Sequence, residues 1–432
     1  MRKGFQSMIK KCASLLFSLI LFSSMDLAAL DYTKPSTALA NAFYGSEGEN
    51  GGTTGFRSLL IPMGGRAESL GGAYTGLSDD VSFIDYNPAS SSLINETEIS
   101  LFHNAWIADS AVETLAGATR FGQLGMGGKV SCFYVPFTEY NYFGDRVGAN
   151  YYSETTTVFN AAYNFLSGYK FKGLAVGGNF KMSWRSMPDY ADKTTGAIVS
   201  GSGLQQLALA FMTDIGIMMR FNALKFYNSR EPNIRIGLSL MNLGAAMTGF
   251  GKKVLLDDPL PATAGLGLSY SPIRPLVFSL EFRQPMNLHN IIELHALTTG
   301  TGIEVKITRF FSALAGFQLK GGNPRVSLGS EFEVFKIRMN ACYTFDLTSS
   351  LNPINRFSVS AKLALGDKGR SAMQQRVDEL YREGIAHFAE RDYDAAILSW
   401  QEALKIDKYF DPATEAIKNA LRYKQMLENY SF

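Results

Sequence analysis

Cysteine and histidine are scarce in this 432-residue sequence, with three and four copies. His103, His289, His295 and His387 are scattered and show no metal-ligand spacing. No Gly-x-Ser-x-Gly elbow, phosphate loop or Cys–His arrangement occurs at a plausible site. Catalytic residues, metals and cofactors are therefore not expected, although a rim site assembled from distant segments stays open. An excess of one charge is also missing, since 41 basic residues face 39 acidic ones. No basic field points to nucleic acid. Beyond the N-terminus no run of about 18 apolar residues occurs, so no transmembrane helix is expected in the mature chain.

What is present is glycine, aromatics and alternation. Aromatics make up 12% and charged residues 19%, with 41 glycines. That composition suits a membrane barrel with aromatic girdles, and a soluble β-rich protein could share it. The N-terminus reads as a secretory signal over residues 1–29. Arg2, Lys3, Lys10 and Lys11 precede an apolar core from Ala13 to Phe22, and small residues follow to Ala29. A later cleavage site at Ala38-Leu39-Ala40 is the alternative. Cys12 lies inside the signal core, which does not suit a lipoprotein acylation site.

Residues 95–366 read as a succession of alternating segments separated by turn residues. In Leu174–Arg185, Leu174, Val176, Phe180, Met182 and Trp184 share one parity. Asn179, Lys181, Ser183 and Arg185 share the other. Successive strand residues point to opposite faces, so one face is greasy and one polar. About fourteen such segments, each roughly nine to thirteen residues long, match tilted membrane strands. The expected fold is an all-β transmembrane barrel of antiparallel strands. Short turns at Gly122–Gly125, Ser271–Arg274, Arg309–Phe310 and Phe335–Lys336 alternate with long loops such as Thr138–Ser153 and Ser186–Leu204. Phe221–Asn233 is long for a turn, and Gly321–Pro324 is short for a loop. A soluble β-sandwich would alternate too, but would seldom need so many long strands. Parity puts one of Cys132 and Cys342 toward lipid and the other toward the lumen, against a disulfide.

Residues 30–94 lack long alternation. They hold Gly64-Gly65-Arg66-Ala67-Glu68-Ser69-Leu70-Gly71-Gly72-Ala73, then Asp79-Asp80, then Asn87-Pro88-Ala89. This stretch resembles the opening of FadL-type fatty-acid transporters and of the related PorV-like barrels. It is most similar to an uncharacterised FadL-like family of treponemal outer-membrane proteins. The resemblance implies an N-terminal hatch in the lumen, shaped by Asn87, Pro88 and Ala89, and passive uptake of fatty acids or similar hydrophobic molecules. Ordinary plug packing is the alternative for those three residues. Asp79 and Asp80 lack calcium-loop spacing and read as solvated or hatch-to-wall acids. The family also implies lateral release at a kinked strand, which would place Gly127 and Gly128 there.

On the polar parity, Lys181, Arg185, Arg235, Arg283 and Arg338 are candidate contacts for a ligand carboxylate. Pairing with Glu281, Glu331 and Glu333 in a wet lumen is the alternative. After Gly366 the composition turns to Ala, Glu, Arg, Lys and Gln. Gly384, Ala396, Trp400 and Ala403 fall at positions resembling one tetratricopeptide repeat, so residues 367–432 read as a small all-α module. An even strand count would leave that module in the periplasm, where it could cap the barrel or dock a periplasmic protein. Two further roles compete with uptake: a PorV-like secretion or envelope shuttle, and a general porin.

Overall fold

The computed structural model describes residues 55–430, except 62, 106–108, 142, 170, 193–194, 196, 204–206, 228, 249–253, 256–259, 287–296, 321–322 and 348–354. The expected signal segment and the first part of the expected hatch lie outside the described residues.

Fourteen strands form one closed antiparallel barrel, as the alternation predicts. They are β1 (Thr97–Ala105), β2 (Ala111–Phe121), β3 (Leu124–Tyr140), β4 (Arg146–Phe165), β5 (Leu174–Ser186), β6 (Ala208–Phe221) and β7 (Ile234–Thr248). The series continues with β8 (Ala262–Tyr270), β9 (Leu276–Met286), β10 (Thr298–Lys306), β11 (Phe311–Lys320), β12 (Asn323–Val334), β13 (Ile337–Asp346) and β14 (Arg356–Gly366). A two-residue strand, Val254–Leu255, adds to the end of β7. Each strand pairs with its chain neighbours, and β1 closes the ring on β14 from Thr97↔Gly366 to Ala105↔Phe357. Closure pairs both edges of the sheet, while the far ends of β3 (beyond Tyr134) and β4 (before Ser153) run on past β2 and β5 as a two-stranded extension.

In β14, Phe357, Val359, Leu363 and Leu365 face outward, while Arg356, Ser358, Ser360 and Lys362 are buried inside. The same exposed apolar parity runs through Leu238 and Leu240, Leu266 and Leu268, and Phe278 and Phe282. An apolar outer face and a polar inner face are what a barrel in lipid requires, the reverse of a soluble sandwich.

The strand lengths correct one expectation. Thr138–Ser153 is not a long loop, because β3 has 17 residues and β4 has 20. Their hairpin turns at Asn141–Asp145, where Asn141 Oδ1 accepts from the backbone of Phe143 and Asp145. At this end β3 carries Pro136, Thr138, Glu139 and Tyr140 and β4 carries Gly148, Asn150, Tyr151 and Tyr152, so the greasy–polar alternation that marks a strand fades while the ladder continues. The barrel end holding Thr97 and Gly366 has the tighter turns. Its exception, between β6 and β7, is shaped by Asn233, which donates to Ala223 O (2.7 Å) and accepts from Ala223 N (3.0 Å).

Inside the ring, the segment before β1 folds into short turns of helix. They are Arg57–Leu60, α1 (Arg66–Ser69), Val81–Asp85 and Pro88–Ser92. Asp80 and Asn87 cap the last two by accepting from Ser82 N and Ala89 N, and Pro88 stands at a first helical position where its missing N–H is harmless. Val81, Phe83, Ile84 and Ile94 pack on Phe102, Ala116 and Val158 of the wall.

Three helices follow the barrel: α2 (Arg370–Ala389), α3 (Tyr393–Ile406) and α4 (Asp411–Tyr430). Asp392 caps α3 through Ala395 N. Trp400 is buried against Gly384, where an added Cβ would come within 2.3 Å of the indole nitrogen, and donates to Tyr381 O at 3.1 Å. Ala396 and Ala403 are buried in the same core. Among the described residues, no helix is long and apolar enough to cross a membrane.

The helices rest on the tight-turn end of the barrel. Tyr169, between β4 and β5, packs edge-on against Phe410 with centroids 5.3 Å apart. Arg230, between β6 and β7, lies 4.7 Å over the Phe410 ring and pairs with Asp378. The unusual length of the β6–β7 connection thus carries Arg230 to the helices. Arg370 donates to Arg120 O, Ile94 O and Asn95 O, joining α2 to the point where the hatch enters β1.

Candidate functional site

The hatch follows the inner wall strand by strand, and inward-facing glycines let it approach. An added Cβ would lie 2.0 Å from Ser69 Oγ at Gly329, 2.0 Å from Gly71 N at Gly316 and 2.6 Å from Leu70 Cβ at Gly302. It would lie 2.3 Å from Gly76 N at Gly267, 2.2 Å from Thr75 O at Gly237 and 2.2 Å from Asn87 Oδ1 at Gly216. At Gly125 the nearest atom would be the Ser91 carbonyl carbon, 2.0 Å away. No side chain fits at those separations, so glycine here answers close backbone approach. The parity of these glycines was present in the sequence and was the signal that would have located the hatch track.

The remaining seam is polar. Glu281 on β9 accepts from the backbone of Tyr74 (2.8 Å) and Thr75 (2.7 Å), and Glu98 on β1 accepts from Val81 N (3.0 Å). Asn179 Nδ2 donates to Ile84 O (2.9 Å) and Asn160 Nδ2 to Pro88 O (3.0 Å). Asn87 Nδ2 donates to Thr75 O (3.2 Å) and Ile217 O (3.0 Å), so it ties two hatch turns to β6. Pro88 and Ala89 are buried beside it.

Charges cross the same seam. Arg66 pairs with Asp79 and with Glu304 of β10, Lys362 of β14 pairs with Asp80, and Lys129 of β3 pairs with Asp85. Burial alone would raise all three aspartates. Arg66 holds Asp79, Lys362 holds Asp80 and Lys129 holds Asp85 below the ordinary carboxylate range. Asp79 and Asp80 tie the segment before β1 to the wall through Arg235 and Lys362. Among the described residues, no three His, Cys, Asp or Glu side chains gather as metal ligands.

The five lumen cations singled out in the sequence all lie on the inner face, spread over β5, β7, β9 and β13. Lys181 donates to Asn242 (2.9 Å) and pairs with Asp214 (2.8 Å). Arg185, on the same strand, lies 5.9 Å from the Phe56 ring. Arg235 pairs with Asp79 at 3.2 Å and donates to Leu77 O. Arg283 pairs with Glu281 and faces the Tyr86 ring at 5.0 Å. Arg338 pairs with Glu98 and Glu96, whereas Glu333 lies 3.6 Å from Lys306. Lys181 alone of the five lines a small polar pocket, with Asp85, Lys129, Glu154 and Thr156.

Gly127 and Gly128 fall in a stretch of β3 that keeps unbroken register with both β2 and β4; its register shift lies at Glu139/Tyr140. Cys342 is buried on the inner parity and Cys132 is on the opposite parity, and both are free.

The sequence matches the uncharacterised protein family UPF0164 over residues 32–368. The chain belongs to that family. A UPF0164 protein of Treponema pallidum (strain Nichols) is 30% identical over 405 residues, covering 92% of this chain and 89% of the relative. Another from the same organism is 26% identical over 407 residues, covering 92% and 81%. Among solved structures, the P. putida toluene transporter TodX aligns at 13% identity with a TM-score of 0.47, covering 71% of this UPF0164 chain and 99% of TodX. The KdgM porin aligns at 9% identity with a TM-score of 0.31, covering 62% and 99%.

Proposed function

We propose that the protein is a non-enzymatic channel of the outer membrane for passive uptake of long-chain fatty acids or similar small hydrophobic molecules, held closed here by its hatch. The observation that carries this reading is the chemistry of the seam. A plug packed only through apolar contacts could not leave its wall without exposing greasy surface. Much of this one is held by hydrogen bonds and ion pairs that water can replace, and it runs on a track of glycines. An outer belt of Leu, Phe and Val meets lipid, while the N-terminal segment fills the lumen.

In this reading Lys181, Arg185, Arg235, Arg283 and Arg338 meet the ligand once hatch movement bares the inner wall; Arg235 is freed from Asp79, while Lys181, Arg283 and Arg338 keep their wall partners Asp214, Glu281 and Glu98. Asn87, Pro88 and Ala89 set the hatch shape, and Gly127–Gly128 marks the strand where β3 would part for lateral release. The helices, with the small residues Gly384, Ala396 and Ala403 around Trp400 as in a tetratricopeptide repeat, would stand in the periplasm.

Displacement of a fluorescent fatty acid from the detergent-folded mature protein tests the proposal. Saturable binding, weakened in the Lys181→Ala/Arg185→Ala double variant, is expected. No saturable binding by a barrel shown to be folded would sink it. The docked helices favour a second reading, a PorV-like shuttle or scaffold, whose sign would be a stable co-purifying protein partner lost when Arg230 and Asp378 are replaced.

A further inference from the structure

At the loop end of the barrel, away from the helices, five cations converge on the inner side. Arg57 comes from the hatch, Arg283 from near the end of β9 and Lys320 from the end of β11. Arg325 comes from the start of β12, and Arg356 is the first residue of β14. Cross-strand register puts Arg283 and Lys320 at one level, since both pair with Thr298. Lys320 stands within electrostatic reach of all four arginines.

Among the described residues, the carboxylates paired with these cations are three. Glu281 pairs with Arg283, Glu68 lies 3.6 Å from Arg356, and Asp346 lies 3.4 Å from Arg325. Two of them have other duties. Glu281 accepts the Tyr74 and Thr75 backbone, and Glu68 accepts from Ser358 (2.7 Å) and Thr344 (3.3 Å). Among the described residues, two positive charges are left over. Arg325 Nε is buried and meets Asp346 Oδ2 at 3.4 Å as an ion pair without a hydrogen bond. Deeper in the lumen, by contrast, Lys181, Arg66, Lys129 and Lys362 each have an acid beside them.

A buried apolar cluster adjoins the cations. Phe56, the residue before Arg57, is buried with Ala210, Met212 and Leu260, and Leu59 packs against this group. Like charges gathered without a counter-ion repel, and guanidinium groups match carboxylate and phosphate oxygens in geometry.

We infer that this mouth is a capture site for the anionic head of an amphiphile, a carboxylate or a phosphate monoester, with the tail directed toward the Phe56–Leu59–Leu260 cluster. The inference rests on the uptake reading and deepens it. It adds an outer site distinct from the Lys181 pocket, at which charge is selected before the hatch is met.

The test uses the full mature chain folded in detergent at about pH 8 and low salt. Dodecanoate, dodecyl phosphate and uncharged dodecanol each compete against an uncharged apolar dye. The wild type is expected to prefer one of the two anions over dodecanol by roughly tenfold, and that anion identifies the head group. About 0.5 M salt should erase most of the preference. Arg57→Gln/Lys320→Gln, which breaks no ion pair among those described, should lose the preference while dodecanol affinity holds. Lys320→Glu should turn it against the anions.

Equal affinity for anions and dodecanol in the wild type, or an unchanged preference in the double variant, would overturn the capture site and leave uptake of neutral molecules standing. Binding of none of the three by a folded barrel would overturn the uptake reading and this site with it.

Discussion

Lys362 on β14 and Asp80 of the hatch form an ion pair in which both side chains are almost completely buried. Removing one partner of such a pair leaves an uncompensated charge, whereas removing both leaves a neutral gap. Arg66, 3.8 Å from Asp80, offsets part of that charge, so Lys362→Met should destabilise the closed hatch by up to about 3 kcal/mol, the low end of the range for a broken buried pair. Asp80→Asn/Lys362→Met should recover most of that loss. Protease cleavage within residues 66–94 of the folded barrel reads the difference, and equal exposure in the single and double variants would refute the assignment.

The same pair predicts an acid response. Lys362, with Arg66, holds Asp80 below its unfolded value despite burial, and Asp79 and Asp85 are lowered by Arg66 and Lys129. A carboxylate with a lowered folded pKa contributes stability that is full above its unfolded pKa. The contribution is lost as pH falls from about 4 through the lower folded value. Hatch protection should thus be flat from neutral pH to about pH 5 and decline below about pH 4. The Asp80→Asn/Lys362→Met variant should decline less steeply. A steep loss between pH 5 and 7 would point to another group.

The glycine track makes a prediction with an internal control. Gly316→Val places its Cβ 2.0 Å from Gly71 N, and Gly125→Val meets the Ser91–Ser92 backbone. Both should still let a barrel form while expelling the hatch, seen as raised single-channel conductance in planar bilayers. At Gly117 the nearest atom to a Cβ is 3.6 Å away, so Gly117→Ala should conduct as the wild type does. If the two valine variants conduct no more than Gly117→Ala, the hatch does not close the pore by this contact.

Strand positions were legible in the sequence because lipid and lumen impose opposite chemistry on alternate residues, as Leu174–Arg185 and Phe357–Leu365 display. The far halves of β3 and β4 were not, because there Tyr140, Asn150 and Tyr151 sit on strands that no longer need a greasy face. Lumen cations could be assigned to the inner parity but not to partners. Lys181 meets Asp214, which lies 33 positions along the chain on the next strand, and Arg338 meets Glu98 across the closing seam. Only register and closure decide such pairs. The motif around Asn87 marked a hatch, yet its fixing points were spread singly over strands, where an isolated glycine looks like a bulge. The long β6–β7 connection fitted poorly as a turn because its purpose, carrying Arg230 to Asp378, lies in a segment about 150 residues away.

That contact sets the last prediction. Arg230 is held between the Asp378 carboxylate and the faces of Phe410 and Tyr169, so it contributes both charge and stacking. Partly exposed ion pairs are worth little alone, and cation–π contact adds about 0.5–1 kcal/mol. Arg230→Ala should therefore loosen the helices from the barrel without unfolding either, and Arg230→Lys should rescue only in part because the stacking guanidinium is lost. Trp400→Ala differs in kind. It removes the centre of the helical core and should melt the helices at a cost of about 3–5 kcal/mol. The barrel has its own closed hydrogen-bond ladder and should stay heat-resistant in detergent. Protease release of an intact helical fragment in Arg230→Ala, against degradation of that segment in Trp400→Ala, separates undocking from unfolding. Identical cleavage patterns would mean that the helices have no core of their own and fold only against the barrel.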